Sequence, residues 1–212
     1  MENIKFRSIK KSDFKDIKEL INDAWAFDNY TKNTDSLLHL LSAFMRTALL
    51  NQNYNEVAVI NGKVAGLICG KFTALGGFWK NIPHIPSLLY HGLLLSVKSN
   101  NERRLIKGFY EVHKSYEKLL SESKESFDGE LEFFIVHSKY KGLGIGKQLF
   151  YNFTEYCKKN SVRNIYLFTD IKCNYGFYDH NGFTKQGAAP VEIDLYNDKL
   201  QFDVYMYSKN LF

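Results

Sequence analysis

The chain has 212 residues, 45% of them hydrophobic, enough for a substantial core in one or two domains. Its formal charge is +5, but 28 Lys and Arg are spread along the chain and nearly matched by 23 Asp and Glu, which argues against nucleic-acid binding. Cys69, Cys157 and Cys173 give neither a CxxC pair nor a disulfide framework, and no run reaches the roughly 18 apolar residues of a membrane span. A reducing compartment is the simpler reading, and with no signal-peptide core in MENIKFRSIKKSDF the expected location is cytoplasmic.

NIKFRSI, 3–9, reads as a short strand. Ser12 or Asp13 can cap the next element, DFKDIKELINDAW, where Phe14, Ile17, Leu20 and Ile21 recur at helical spacing. Trp25, Phe27 and Tyr30 lead into an open turn. DSLLHLLSAFMRTALL predicts a second helix, capped by Thr34 or Asp35, with Leu37, Leu38, Leu41, Met45, Ala48 and Leu49 as its apolar stripe. EVAVINGKVAGLICGKF predicts a hairpin turning at Asn61-Gly62. The stretch ALGGFWKNIPHIPSLL is broken by Gly and Pro, and two helical patterns follow, LLYHGLLLSV and ERRLIKGFYEVHKSYEKLLSES.

GELEFFIVH reads as a central strand covered on both sides. A glycine-rich loop, an amphipathic helix carrying Leu149, Phe150, Phe153 and Cys157, and a second central strand, RNIYLFTD, come next. NYGFYDHNGF is a turn-rich link, and QFDVYMYSK has the alternation of a final antiparallel strand. Strand, loop, helix and strand make a crossover unit, so the fold class is mixed α/β. The expected organisation is one domain over 1–212 with a helical insertion at about 73–126.

The loop KGLGIGK fits neither common nucleotide motif. A mononucleotide P-loop needs a longer glycine spacing and a Ser or Thr after its lysine, but Gln148 follows Lys147. A dinucleotide fingerprint needs a different glycine order and an earlier acid than Asp170. Backbone N–H groups from Leu143 to Lys147 can still converge on a phosphate at the helix start, with Lys141 and Lys147 beside it. A plain turn with surface lysines explains the glycines equally well.

IVHSKYKGLGIGKQLF resembles the acetyl-CoA-binding motif of the GNAT N-acetyltransferase family. Gly144 and Gly146 match its glycines, Gly142 is a frequent extra one, and Lys141 stands where the family prefers Arg or Gln. TDIKCNYGFYDHNGF resembles the family's second motif, with Asn174, Phe177, Tyr178, Gly182 and Phe183 in register. The resemblance covers about 129–183. It implies a GNAT-like, mostly antiparallel sheet with splayed central parallel strands and flanking helices. It also implies acetyl-CoA as the acyl donor, with its arm between 133–137 and 165–169. Backbone groups of Phe134, Ile135 and Val136 would pair with the arm, and 141–147 (Lys141, Gly142, Leu143, Gly144, Ile145, Gly146 and Lys147) with Asn174 would complete the cofactor site. Tyr178 takes the family position that protonates the CoA sulfur.

The resemblance makes the expected reaction acetyl transfer to a primary amine, the acceptor being a small molecule or a peptide. The rival reading is a CoA-binding or interaction protein on the same fold without turnover. Glu130 and Glu132 share a strand face and are candidates for taking the amine proton, with His84, His91 and His137 as alternatives by chemistry alone. No HExxH, Cys/His cluster or calcium loop is present, so no metal is expected. Trp25, Phe27, Tyr30, Phe72, Phe78 and Trp79 either line an acceptor cleft or cap the core. LLYHGLLL allows a lid, a lipophilic pocket or a homodimer surface, and the helix after it suggests a lid half in water.

Overall fold

The fold was read from a computed structural model. It describes residues 3–31, 33–75, 84–98, 100–171, 173, 175–194 and 199–212. Phe78, Trp79 and Asn174 lie outside the described residues.

The elements run β1 (Ile4–Arg7), α1 (Phe14–Trp25), α2 (Thr34–Asn51), β2 (Tyr54–Ile60), β3 (Lys63–Phe72), α3 (His84–Lys98), α4 (Asn100–Glu122), β4 (Gly129–Val136), α5 (Ile145–Lys159), β5 (Asn164–Asp170), α6 (Gly176–His180), β6 (Thr184–Asp194) and β7 (Lys199–Asn210). The seven strands form one sheet in the order β1-β2-β3-β4-β5-β7-β6. Every neighbouring pair is antiparallel except β4 and β5. The expected mixed, largely antiparallel α/β fold is therefore the one observed.

Local chemistry explains most element ends. Asn61 and Gly62 adopt φ of 48° and 79°, the left-handed pair that a tight hairpin turn requires. Asp13 precedes α1, but its carboxylate takes two hydrogen bonds from Arg7, at 2.6 and 2.8 Å, instead of capping the helix. The cap of α2 is Asn33, not Thr34 or Asp35: its side-chain oxygen accepts from the N–H groups of Asp35 and Ser36, both at 3.0 Å.

Helices cover both sheet faces. Ile17, Leu20 and Ile21 of α1 and Leu41, Met45 and Leu49 of α2 pack on β2, β3 and Ile135, joined by Leu95 of α3 and Leu105 of α4. Further along the same face, Leu119 of α4 meets Ala189, Val191, Val204 and Met206. Tyr116 stacks on Phe168 at 4.3 Å and 6°, and a Cβ at Gly108 would overlap Ile193. Thus α4 packs one face on β6 and β7 and leaves the other in solvent, half in water as the sequence suggested. On the opposite face, Ile145, Leu149, Phe150, Phe153 and Cys157 of α5 pack against Ile68, Leu131, Ile165 and Leu167.

Strand β6 is absent from the sequence reading. Its segment contains Gly187, where the register shifts, and Pro190. Proline is tolerated there because β6 is an edge strand, and an edge leaves one row of N–H groups without ladder partners. The last strand, β7, is interior: Val204 and Met206 are buried on one face, Tyr205 and Tyr207 on the other.

Candidate active site

Strands β4 and β5 pair only at Gly129↔Ile165 and Glu130↔Tyr166. Beyond that rung they part, which opens the middle of the sheet between Phe134–Val136 and the second half of β5. This is the splayed parallel pair that the sequence resemblance implied. The side chains of Phe134 and Val136 pack in the α5 core and that of Ile135 in the α1–α2 core. What this strand can offer a ligand in the opening is its backbone.

A bulge sharpens this region. The β3–β4 register shifts between Cys69 and Gly70, so Glu132 lies between the rungs of Leu131 and Phe133. Leu131 therefore faces α5, whereas Phe133 faces Trp25 and Phe44, at 5.3 and 5.5 Å between ring centroids.

The glycine loop follows the open end of β4. Gly142 and Gly144 have φ of 84° and 75°, with open space around both. Gly144 is the N-cap of α5, without a side-chain cap. The first-turn N–H groups of α5 therefore have no side-chain cap. Lys141, Leu143 and Lys147 are exposed, whereas Ile145 is buried and can contribute only its backbone. Gly146 brings α5 over β4, where a Cβ would sit 3.5 Å from both Phe134 and Val136. The loop is tied to α1: Asp23 accepts hydrogen bonds from Ser138 N at 2.7 Å and Ser138 Oγ at 2.6 Å.

Tyr178 sits on α6, half-buried among the rings of Phe177, Phe183 and Tyr207 at 5.8, 5.5 and 6.0 Å. Phe183 N donates to Tyr178 O at 3.0 Å, which fixes the register of the motif. Burial, with Cys173 nearby, pushes the phenol well above its ordinary value, so it keeps its proton and acts as a donor.

Glu130 stands at the rung where the strands part. It accepts from Tyr166 Oη at 3.1 Å. Burial pushes its carboxyl up, and Tyr166, Lys71 and His113 partly counter that. Glu132 reaches the same neighbourhood, since its charge adds to the rise of Tyr166. A carboxyl with raised affinity for protons beside an opening is suited to proton transfer. Of the histidine alternatives, only His137 adjoins the opening, at the end of β4. His84 and His91 contact α2, and His137 Nδ1 accepts from Lys139 N at 3.2 Å.

The aromatics divide. Trp25 and Phe27 form a ring cluster with Phe44, Phe109 and Phe133 where the helices meet the sheet. Phe72 is buried against Phe153 and Tyr156 in the α5 core. A cavity of about 690 Å³ lies along α1, lined in part by Lys18, Asn22, Asp23, Leu38 and Leu41. The sequence reading missed Asp23, because its partner is 115 residues away. Among the described residues, no group of three or more His, Cys, Asp or Glu side chains could hold a metal ion, and no helix is long and apolar enough to cross a membrane.

The profile of the acetyltransferase (GNAT) family matches residues 76–183. Among solved structures, an N-acetyltransferase from Staphylococcus aureus Mu50 is 17% identical, with a TM-score of 0.55 and coverage of 99% of both chains. The ribosomal-protein-S18-alanine N-acetyltransferase from Escherichia coli is 11% identical, with a TM-score of 0.58, covering 99% of this chain and 94% of that one. A Pyrococcus horikoshii OT3 protein is 16% identical, with a TM-score of 0.59 and coverage of 98% of both. A search of the curated proteins found no match.

Proposed function

The chain belongs to the acetyltransferase (GNAT) family, and from that premise we propose that it transfers an acetyl group from acetyl-CoA to a primary amine. The observation that carries the reading is the β4–β5 fork, which opens just beyond Glu130 and Tyr166 and leads at its far end to the left-handed glycines. The backbone of Phe134, Ile135 and Val136 offers hydrogen bonds to the amides of the cofactor arm. The N–H groups from Leu143 to Lys147 offer donors for its pyrophosphate, and Lys141 and Lys147 add positive charge. Asn174 belongs to the same proposed site by its place in the motif.

An amine attacks only after losing a proton. Glu130 is the first choice for accepting it, directly or through water, with Glu132 as second. Tyr178 donates to the departing sulfur. Its raised pKa makes it a weak acid, so its contribution is a hydrogen bond to the developing thiolate at least as much as full proton transfer. No resident metal is assigned a role. The acceptor is a small-molecule or peptide amine, and the likeness to an S18-alanine N-acetyltransferase places peptide amino termini in the screen.

Calorimetry with acetyl-CoA, followed by a thiol-release screen over primary amines, tests the reading. Saturable acetyl-CoA binding and amine-dependent CoA release are expected. Binding without release for any amine would favour a CoA-binding protein without turnover, and absence of binding would remove the proposal altogether.

A further inference from the structure

His39 and Arg46 lie seven residues apart on α2, and His84 and His91 seven apart on α3, so each pair shares a helix face. The two faces meet in register. His39 Nδ1 is 2.8 Å from His91 Nδ1, and Arg46 Nη1 is 2.8 Å from His84 Nδ1. An arginine N–H only donates, so His84 Nδ1 is the acceptor. In the histidine pair, one facing nitrogen carries the proton and the other receives it. Helix α1 adds Phe14, whose ring centroid is 4.6 Å from the Arg46 guanidinium carbon, and Lys18.

Among the described residues, no carboxylate is hydrogen-bonded to Lys18 or Arg46 in this seam. Burial and the nearby Arg46 lower the proton affinity of Lys18. His91 is lowered by burial, His39, Arg46 and Lys18, and His84 by burial, Arg46 and Lys11. Among the described residues, no carboxylate is one of the groups that shift Lys18, Arg46, His84 or His91. Arg46 Nε is shielded from solvent and donates to no acceptor. A shielded donor without an acceptor is costly, most of all on a charged group. The Nε edge of a guanidinium is also the fork that holds two oxygens of one carboxylate or phosphate.

We propose that Arg46, Lys18 and His91, where α1, α2 and α3 meet, form a binding site for a small oxyanion, a phosphate or a carboxylate. The site is distinct from the glycine loop, because α1, α2 and α3 cover one face of the sheet and α5 the other. The oxyanion takes the free Arg46 fork and neutralises the charges that now oppose one another.

The test titrates the full chain with inorganic phosphate and, in parallel, with succinate, at constant ionic strength. Thermal midpoint and the NMR titration curves of the histidines are the readouts. A saturable rise in midpoint is expected, with half-saturation moved at least tenfold upward in Arg46→Gln. His84 and His91 should titrate at higher pH with the anion bound, because a negative neighbour favours imidazolium. A response to phosphate alone or succinate alone identifies which oxyanion the fork accepts. Lys18→Met repeats the comparison should Arg46→Gln not fold. The proposal is overturned by no saturable response to either probe or by unchanged half-saturation in a folded variant. It is equally overturned by a response that Gly144→Val abolishes, which would place the anion at the glycine loop.

Discussion

Ser138 and Asp23 are joined by two hydrogen bonds, from the backbone N at 2.7 Å and the hydroxyl at 2.6 Å. The pair bolts the last turn of α1 to the segment that leads from β4 into the glycine loop. Burial raises the proton affinity of the Asp23 carboxyl, but the two bonds from Ser138, with Lys141 nearby, hold it below its usual value. Asp23→Asn keeps the size and removes the charge. Hydrogen bonds to a charged group contribute about 1.5–3 kcal/mol, so acetyl-CoA affinity should fall about tenfold, with little change in turnover at saturation. Isothermal titration of the two proteins checks this, and equal affinities would leave Asp23 a surface tether.

Gly144 starts α5 at φ 75° with open space around it. A Cβ there meets nothing within 4 Å, but a valine must adopt a left-handed backbone conformation that costs it about 1–2 kcal/mol. The fold should survive, as judged by circular dichroism, while acetyl-CoA affinity falls sharply because the loop's N–H groups turn away. Unchanged affinity in a folded Gly144→Val protein would remove the loop from the cofactor site.

Tyr178→Phe keeps the ring contacts with Phe177, Phe183 and Tyr207 and removes only the hydroxyl. Stability and cofactor affinity should change little. Loss of a general acid costs about 10²- to 10⁴-fold, and the lower end is expected here, because thiols ionise near pH 8.5 and leave readily. Single-turnover acetyl transfer under saturating acetyl-CoA decides it. An equal rate would make Tyr178 a packing residue.

Stability should depend on pH through the α2–α3 seam. His84 and His91 are both lowered in the fold, chiefly by burial. The unfolded chain then binds protons first, so their stabilisation is complete above about pH 6.5 and is lost as pH falls through the lowered folded values. Glu130, raised by burial, works in the opposite sense and gains relative stability on acidification. Asp13, held down chiefly by Arg7, loses its contribution only as pH falls below its ordinary value of 3.8. Urea midpoints should therefore drop between pH 7.5 and 5.5, and His84→Gln with His91→Gln should flatten that drop. An unaltered slope in the double variant would assign the acid sensitivity to other groups.

Much of this protein was legible in its sequence because the signals are local. Helical spacing of Ile17, Leu20 and Ile21, the Asn61-Gly62 turn, and the glycines before α5 each depend on a few neighbouring residues. Their backbone preferences and apolar periods act over one or two turns of chain. Even the fork was foreshadowed by the resemblance of the 129–183 segment to a known motif pair.

Tertiary structure decided what depends on distant partners. Strand β6 escaped notice because Pro190 and Gly187 break its local pattern, and only its edge position beside β7 makes it a strand. The chain order places β7 last, yet insertion between β5 and β6 buries both its faces. Pattern showed that α4 has one apolar face; only packing shows what covers it, the surface of β6 and β7, which buries Leu119 and stacks Tyr116 on Phe168. Asp23 with Ser138, and Arg46 with His84, acquire meaning only when packing brings together groups that the chain keeps 115 and 38 residues apart. Electrostatics and hydrogen bonding act through space, and folding alone sets those distances.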